Sequence, residues 1–153
     1  MTIYAVKAGA ISHAAATTKS HWLLNPVTKA IKIVGFSVSY DSAVSGAGFA
    51  IELYRVTTIG SAAGTAGTQV KVNGGADAAS ALTTSLIVLS TEPTATEVLC
   101  EWTIQPFGGL LDIQYPQGRE PFTAQAGQRL GIRTSTPAGS TTCNSRSYVW
   151  FDE

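Results

Sequence analysis

The sequence predicts an all-β chain folded as an antiparallel β-sandwich of jelly-roll type, a single domain over residues 1–153. Three observations predict it. Short runs of alternating apolar and polar residues recur along the chain, separated by Gly- and Pro-rich turns, as half-buried strands require. No window carries three turns of helical periodicity, and no unit repeats as in a solenoid or propeller. A long stretch of small residues interrupts the strand series midway, which suits the paired sheets of a jelly roll. An immunoglobulin-like sandwich is the second choice, because the two cysteines and Trp102 do not follow the Cys-Trp-Cys order.

The elements follow in order. Residues 1–29 read as an extended N-terminal arm: a strand-like piece at Ile3 to Val6, then small residues, then His21-Trp22-Leu23-Leu24 before Asn25-Pro26. Gly9 and the Thr17-Thr18 pair argue against a long helix there. The first clear strand covers 30–40, with Val34, Phe36, Val38 and Tyr40 on one face. Ile31 and Ile33 are out of phase with that set, so a bulge is expected near Val34-Gly35. Residues 41–48 are a turn segment. Residues 49–57 form the second strand, with Phe49, Ile51 and Leu53 opposite Glu52 and Tyr54. Residues 58–81 are almost wholly Gly, Ala, Ser, Thr and Asn; they read as a long loop in which only 69–73 could form a strand, and which could order on a neighbouring subunit. Strands follow at 82–89, 96–104 and 110–115, the last two joined by Pro106-Phe107-Gly108-Gly109 as a tight hairpin-type turn. Residues 129–134 and 147–152 close the series, with Leu130 and Ile132 sharing a face, and Val149 and Phe151 opposite Tyr148 and Trp150.

Composition narrows the function. A chain of 153 residues buries roughly 70% of its unfolded surface, so it needs neither metal nor disulfide to hold a core. Charged residues make up only 13%, about half the usual share. Few ions must shed water when such a surface is covered, which favours burial against neighbouring subunits. Ten basic and ten acidic residues balance, and the basic ones are scattered, so no nucleic-acid face is expected. No apolar run is long enough for a membrane-spanning helix. The first twenty residues lack the pattern of a signal peptide, so the chain is expected to remain in the cytosol of the cell that makes it. Cys100 alternates with Val98, Trp102 and Ile104 and is expected as a buried free thiol; Cys143 falls in a polar segment expected to be a loop.

The residues of chemistry do not converge in the sequence. His13 and His21 stand alone in the arm with no carboxylate or cysteine between them, so no metal site is expected. There is no GxSxG elbow, and the glycine clusters lack the Lys-Ser/Thr end of a phosphate loop. Glu97 and Glu101 share a strand face but sit roughly 13 Å apart, too far to act as a carboxylate pair. No catalytic residue, metal ligand or cofactor is assigned, and a hydrolase is the least favoured reading. Among the tryptophans, Trp102 belongs to the core by its alternation. Trp22 and Trp150 are the candidates for contact with a partner or for stacking on a sugar.

One wider pattern runs from Ile31 to Glu153. It is carried by Ile33-Val34-Gly35-Phe36, Thr91-Glu92-Pro93-Thr94-Ala95, Trp102, Pro106, Gly108-Gly109, Gln114-Tyr115-Pro116, Gly118-Arg119-Glu120-Pro121, Arg129-Leu130-Gly131-Ile132-Arg133 and Tyr148-Val149-Trp150-Phe151-Asp152-Glu153. In these residues the chain resembles small virion proteins encoded beside the capsid genes of tailed bacteriophages. The resemblance implies a jelly-roll decoration (cement) protein on the capsid surface, or another virion component such as a tail or minor capsid protein. It implies the major capsid protein as partner, self-association with a trimer favoured, and synthesis in the host cytoplasm. The turn carrying Arg119 and Glu120 is either a contact point on that partner or an internal ion pair fixing the turn. A carbohydrate-binding jelly-roll module is the alternative, resting on Trp22 and Trp150.

Overall fold

The computed structural model describes residues 2–41, 47–58, 60–72, 82–105 and 109–153. Its strands are β1 (Ile3–His13), β2 (Thr18–Pro26), β3 (Ile31–Asp41), β4 (Phe49–Thr58), β5 (Ala63–Ala66), β6 (Gln69–Lys71), β7 (Leu82–Thr91), β8 (Ala95–Ile104), β9 (Leu110–Gln114), β10 (Thr123–Ala124), β11 (Arg129–Ser135) and β12 (Cys143–Asp152). They form two antiparallel sheets packed face to face. Sheet I runs β10-β3-β12-β1-β6, with β9 also paired to β3, and sheet II runs β5-β7-β2-β11-β4-β8. The described residues include no helix, and so none long and apolar enough to cross a membrane. The chain is an all-β sandwich, as the alternation requires.

The core lies between the sheets. Tyr4, Val6, Ile31, Ile33, Phe36, Val38, Val149 and Phe151 from sheet I meet Trp22, Leu24, Phe49, Ile51, Leu53, Leu130 and Ile132 from sheet II. Trp102 packs edge-on against Phe36 with ring centroids 5.4 Å apart. The expected bulge in β3 is present. Trp150 pairs with Gly35 and Phe151 with Ile33, leaving Val34 as the extra residue. The bulge resets the phase, so that Ile31 and Ile33 join Phe36, Val38 and Tyr40 in the core and Val34 does not.

Four expectations are corrected. Residues 1–29 are not an arm. β1 lies between β12 and β6 in sheet I, and β2 between β7 and β11 in sheet II. A register shift between Ala8 and Ile11 breaks the alternation of β1. In β2 both faces are covered, so His21, Trp22, Leu23 and Leu24 are all buried and the period disappears.

Residues 58–81 are not structureless. β5, whose small residues show no period, pairs with β7, and β6 pairs with β1 within the 69–73 stretch that allows a strand. Residues 59 and 73–81 lie outside the described ones.

β8 and β9 do not form a hairpin. β8 pairs with β4 in sheet II and β9 with β3 in sheet I, so the connection crosses between layers. The turn residues 106–108, and most of the turn at 41–48, lie outside the described residues.

The cysteines exchange roles. A register shift between Leu53 and Tyr54 on β4 sends Val98 outward, 44% exposed; Cys100 keeps its place opposite Leu53 but is only half-buried on the edge strand β8, while Cys143 opens β12 facing the core. Both thiols are free.

Candidate functional site

The outer faces of the two sheets differ in chemistry. Over sheet II a small second cluster buries Leu23, Tyr54 and Leu89, packed by Val56 and Leu86. Around it the polar groups find partners. The Glu92 carboxylate accepts from the Ser20 N–H at 2.8 Å and from the Ser20 hydroxyl. Ser20 Oγ lies 2.8 Å from Tyr54 Oη. Arg133 pairs with Glu52 and sits 5.1 Å from the centre of the Tyr54 ring.

The outer face of sheet I carries an open, mainly apolar groove. The ladder aligns Val70, Ala5, Trp150, Gly35 and Gln114 in one cross-strand row over β6, β1, β12, β3 and β9. The adjacent row is Lys7, Tyr148, Ser37 and Asp112. Trp150 is flanked by the two smallest members of its row, so neither neighbouring strand raises a side chain over its indole. Gly35 is required there: a Cβ at this position would stand 2.7 Å from the Ile113 carbonyl oxygen, inside van der Waals contact with β9. The result is a groove of about 240 Å³ lined by Ile3, Val34, Gly35, Val72, Gln114, Tyr115 and Trp150. Tyr148 extends it, its ring nearly parallel to that of Trp150 with centroids 6.3 Å apart, and the Lys7 ammonium lies 5.7 Å from the Tyr148 centroid. Val70 and Val72 on one side and Leu110 on the other are each more than half exposed.

The sequence-derived contact candidates separate on this map. Trp150 stands at the centre of the groove. Trp22 is fully buried between the sheets and is withdrawn as a contact residue, because β2 is a central strand and its indole fills the core. Arg119 is exposed in the turn after β9, and its N–H donates to the Pro116 carbonyl at 3.0 Å. The Glu120 carboxylate accepts from the Gly118 N–H at 2.9 Å, and backbone donation holds its pKa below the usual carboxylate value. The turn is therefore fixed by backbone contacts. Val70, Val72 and Tyr148 were not singled out from the sequence; β6 is too short to show alternation, and only the placement of Trp150 opposite Phe151 pointed to this face.

A second constellation lies inside. His13 and His21 are both fully buried with ring centroids 6.1 Å apart. His13 Nε2 is 2.6 Å from Ser145 Oγ and 3.2 Å from Thr134 Oγ1. His21 Nε2 is 3.0 Å from Thr134 Oγ1 and 2.9 Å from Ser145 Oγ, and His21 Nδ1 is 2.9 Å from Ser147 Oγ. Burial pushes the His13 pKa down to about 4, with Lys19 adding to the effect, and the His21 pKa to about 3, with His13 adding to it. The histidines and serines are sealed from solvent, so no substrate reaches them. Among the described residues no three or more His, Cys, Asp or Glu side chains gather as metal ligands.

Comparison with protein-family models, with curated proteins and with solved structures returns no match for this chain.

Proposed function

We propose that this chain is a non-enzymatic virion structural protein of a tailed bacteriophage, which binds the outside of the capsid and stabilises the shell. The observation that supports the reading on the structural side is the open groove on sheet I lined by Trp150. It stands beside the sequence resemblance and the low charge content. The strand order also suits a jelly roll: β1-β12-β3-β9 in one sheet and β2-β11-β4-β8 in the other place successive strands of these eight in opposite layers, except β4 and β8, which pair within sheet II. The major capsid protein is the partner, with the chain itself self-associating as a trimer.

Decoration acts by mass action. A protein that binds the assembled shell and not its separate subunits stabilises the shell by its binding free energy at each repeated site. A trimeric decorator multiplies modest contacts through effective concentration. An aromatic anchor in an open groove is the kind of residue on which such contacts depend.

The test is binding to mature capsids of the encoding phage that lack this protein. The expected result is saturable, stoichiometric binding at micromolar protein, lost on Trp150→Ala, with a trimer in light scattering. Failure of the unaltered protein to bind counts against decoration. The groove itself favours a second reading, a carbohydrate-binding module, since the half-buried Trp150 indole beside Gln114 offers a stacking face and an amide. A glycan array showing a sugar signal that depends on Trp150, without shell binding, would replace the first reading with this one.

A further inference from the structure

The His13–His21 pair sits where it can control the packing of the two sheets. His13 comes from β1 and Ser145 and Ser147 from β12, all in sheet I; His21 comes from β2 and Thr134 from β11, both in sheet II. The pair therefore forms a polar seam across the sandwich, at the end where the chain passes from β1 to β2. The groups facing it are known from each side. β3 contributes Tyr40, whose ring centroid is 6.1 Å from that of His13. β12 contributes Cys143, opposite His13 in the ladder, with Asp41 acting on that thiol. β2 contributes Lys19. The hydrogen-bond partners of both imidazoles are hydroxyls, and no carboxylate stands among them to accept from an imidazolium N–H.

A second observation sharpens the point. His13 Nδ1 is buried without a hydrogen-bond partner. In the neutral ring this nitrogen can remain an unprotonated acceptor. In the imidazolium it becomes a buried N–H with nowhere to donate, which is costly. A second imidazolium 6.1 Å away adds repulsion. The closed seam thus accepts neutral rings only, and opening it to water is the route by which protons enter.

We propose that the His13–His21 seam is an acid-operated latch, through which mild acidification opens the β1–β2 end of the sandwich while the opposite end stays closed. The sign follows from linkage. Both folded pKa values are depressed, to about 4 and about 3, against about 6.5 in an opened, solvated state. Between these limits the open state binds more protons, so the closed state loses stability as pH falls below about 6.5. From pH 7 to pH 5 the open population rises roughly 25-fold for each histidine exposed. Carboxylates with ordinary pKa values contribute little in that window.

Cys143 reports the opening, because it is buried at the same end and in register with His13. In a Cys100→Ser chain, labelling of Cys143 by dithiodipyridine is followed from pH 7 to pH 5 and normalised to the denatured protein at each pH. The expected result is a rise of at least tenfold, abolished in His13→Gln/His21→Gln. An Ala124→Cys thiol in a chain lacking both native cysteines stays protected, since Ala124 is buried beside Ile31 at the far end. A flat Cys143 profile, or equal exposure of both thiols, overturns the local latch. If the double variant does not fold, imidazole NMR of the unaltered chain decides. Rings that stay neutral in the closed form at pH 5 support the latch; ordinary titration near 6.5 with Cys143 still protected overturns it. The measurement uses the isolated protein and is independent of what the outer face binds.

Discussion

Gly131 faces Tyr54 directly across the β11–β4 ladder, and a Cβ on Gly131 would stand 2.6 Å from the Tyr54 ring. The same Cβ would lie 2.9 Å from the Trp22 carbonyl oxygen on the other flanking strand. Tyr54 is fully buried and its hydroxyl is engaged by Ser20, so the ring has no free direction in which to yield. Gly131→Ala is therefore expected to destabilise the sandwich by about 1–3 kcal/mol, the usual range for overpacking. Tyr54→Phe keeps the ring and removes one hydrogen bond, for a loss of about 1 kcal/mol. Urea unfolding measures both; a Gly131→Ala chain as stable as the parent would show that β2 and β4 can separate at this point.

Among the described residues, two non-glycines hold left-handed backbone conformations, Ala16 with φ 53° in the β1–β2 connection and Val88 with φ 50° in β7. An L side chain is strained there by roughly 1–2 kcal/mol. Ala16 is exposed, so replacing it by glycine removes strain and sacrifices no packing. Ala16→Gly is expected to raise the melting temperature, with a gain of up to about 1 kcal/mol after the added freedom of the unfolded glycine is subtracted. Val88→Gly follows the same logic with a smaller net effect, because the valine is half-buried. A lower melting temperature for Ala16→Gly would contradict the assigned backbone geometry.

The legible part of this fold was the alternation of core-facing residues, as at Phe49, Ile51 and Leu53 in β4 and Leu130 and Ile132 in β11. In β12 the alternation of Val149 and Phe151 against Tyr148 and Trp150 holds, with the first pair buried, Tyr148 exposed and Trp150 half-buried. The mixed phase of β3 was readable as a bulge because both of its apolar sets are long enough to recognise. β2 failed for a physical reason. Leu23 meets Tyr54 and Leu89 over the outside of sheet II while Trp22 and Leu24 fill the inside, so no residue in the run is polar enough to mark a face. The histidine seam was hidden by chain order, since its members come from β1, β2, β11 and β12. A signal did exist: Cys143, Ser145, Ser147, Val149 and Phe151 occupy one face of β12, and hydroxyls continuing a core stripe imply a buried polar partner. A strand within 69–73 was legible, but its place at the edge of the candidate groove was not, because β6 has only three residues and pairs through its backbone.

The two tryptophans first grouped together are expected to behave in opposite ways. Trp22 is fully enclosed, and Trp22→Ala should cost about 3–5 kcal/mol, enough to unfold a marginal domain. Trp150 lies on the outer face beside Gly35 and Ala5, with its indole open toward the groove. Trp150→Ala should leave a cooperative unfolding transition in place and remove the partner-binding signal. Chemical denaturation and capsid binding on the same two preparations separate the roles. A folded, binding-competent Trp150→Ala chain would remove this face from the functional account.

Two ion pairs of sheet II, one across β11–β4 and one across β4–β8, should differ in strength for reasons visible in their surroundings. Arg133 and Glu52 pair with side chains 21% and 19% exposed, and Arg133 also donates to Thr96 Oγ1 at 3.2 Å while lying over the Tyr54 ring. Arg55 and Glu97 meet at 3.5 Å with side chains 37% and 57% exposed. Water and salt screen the second pair, so its coupling in a double-mutant cycle should be at most about 0.5 kcal/mol and vanish in high salt. The first pair has a guanidinium held by a carboxylate, a hydroxyl and an aromatic face, which lysine cannot reproduce. Its coupling should reach about 1–2 kcal/mol and persist in salt, and Arg133→Lys should recover little of it. Equal coupling for the two pairs would mean that the Glu52–Arg133 contact, despite its cover, is solvated in solution like an exposed one.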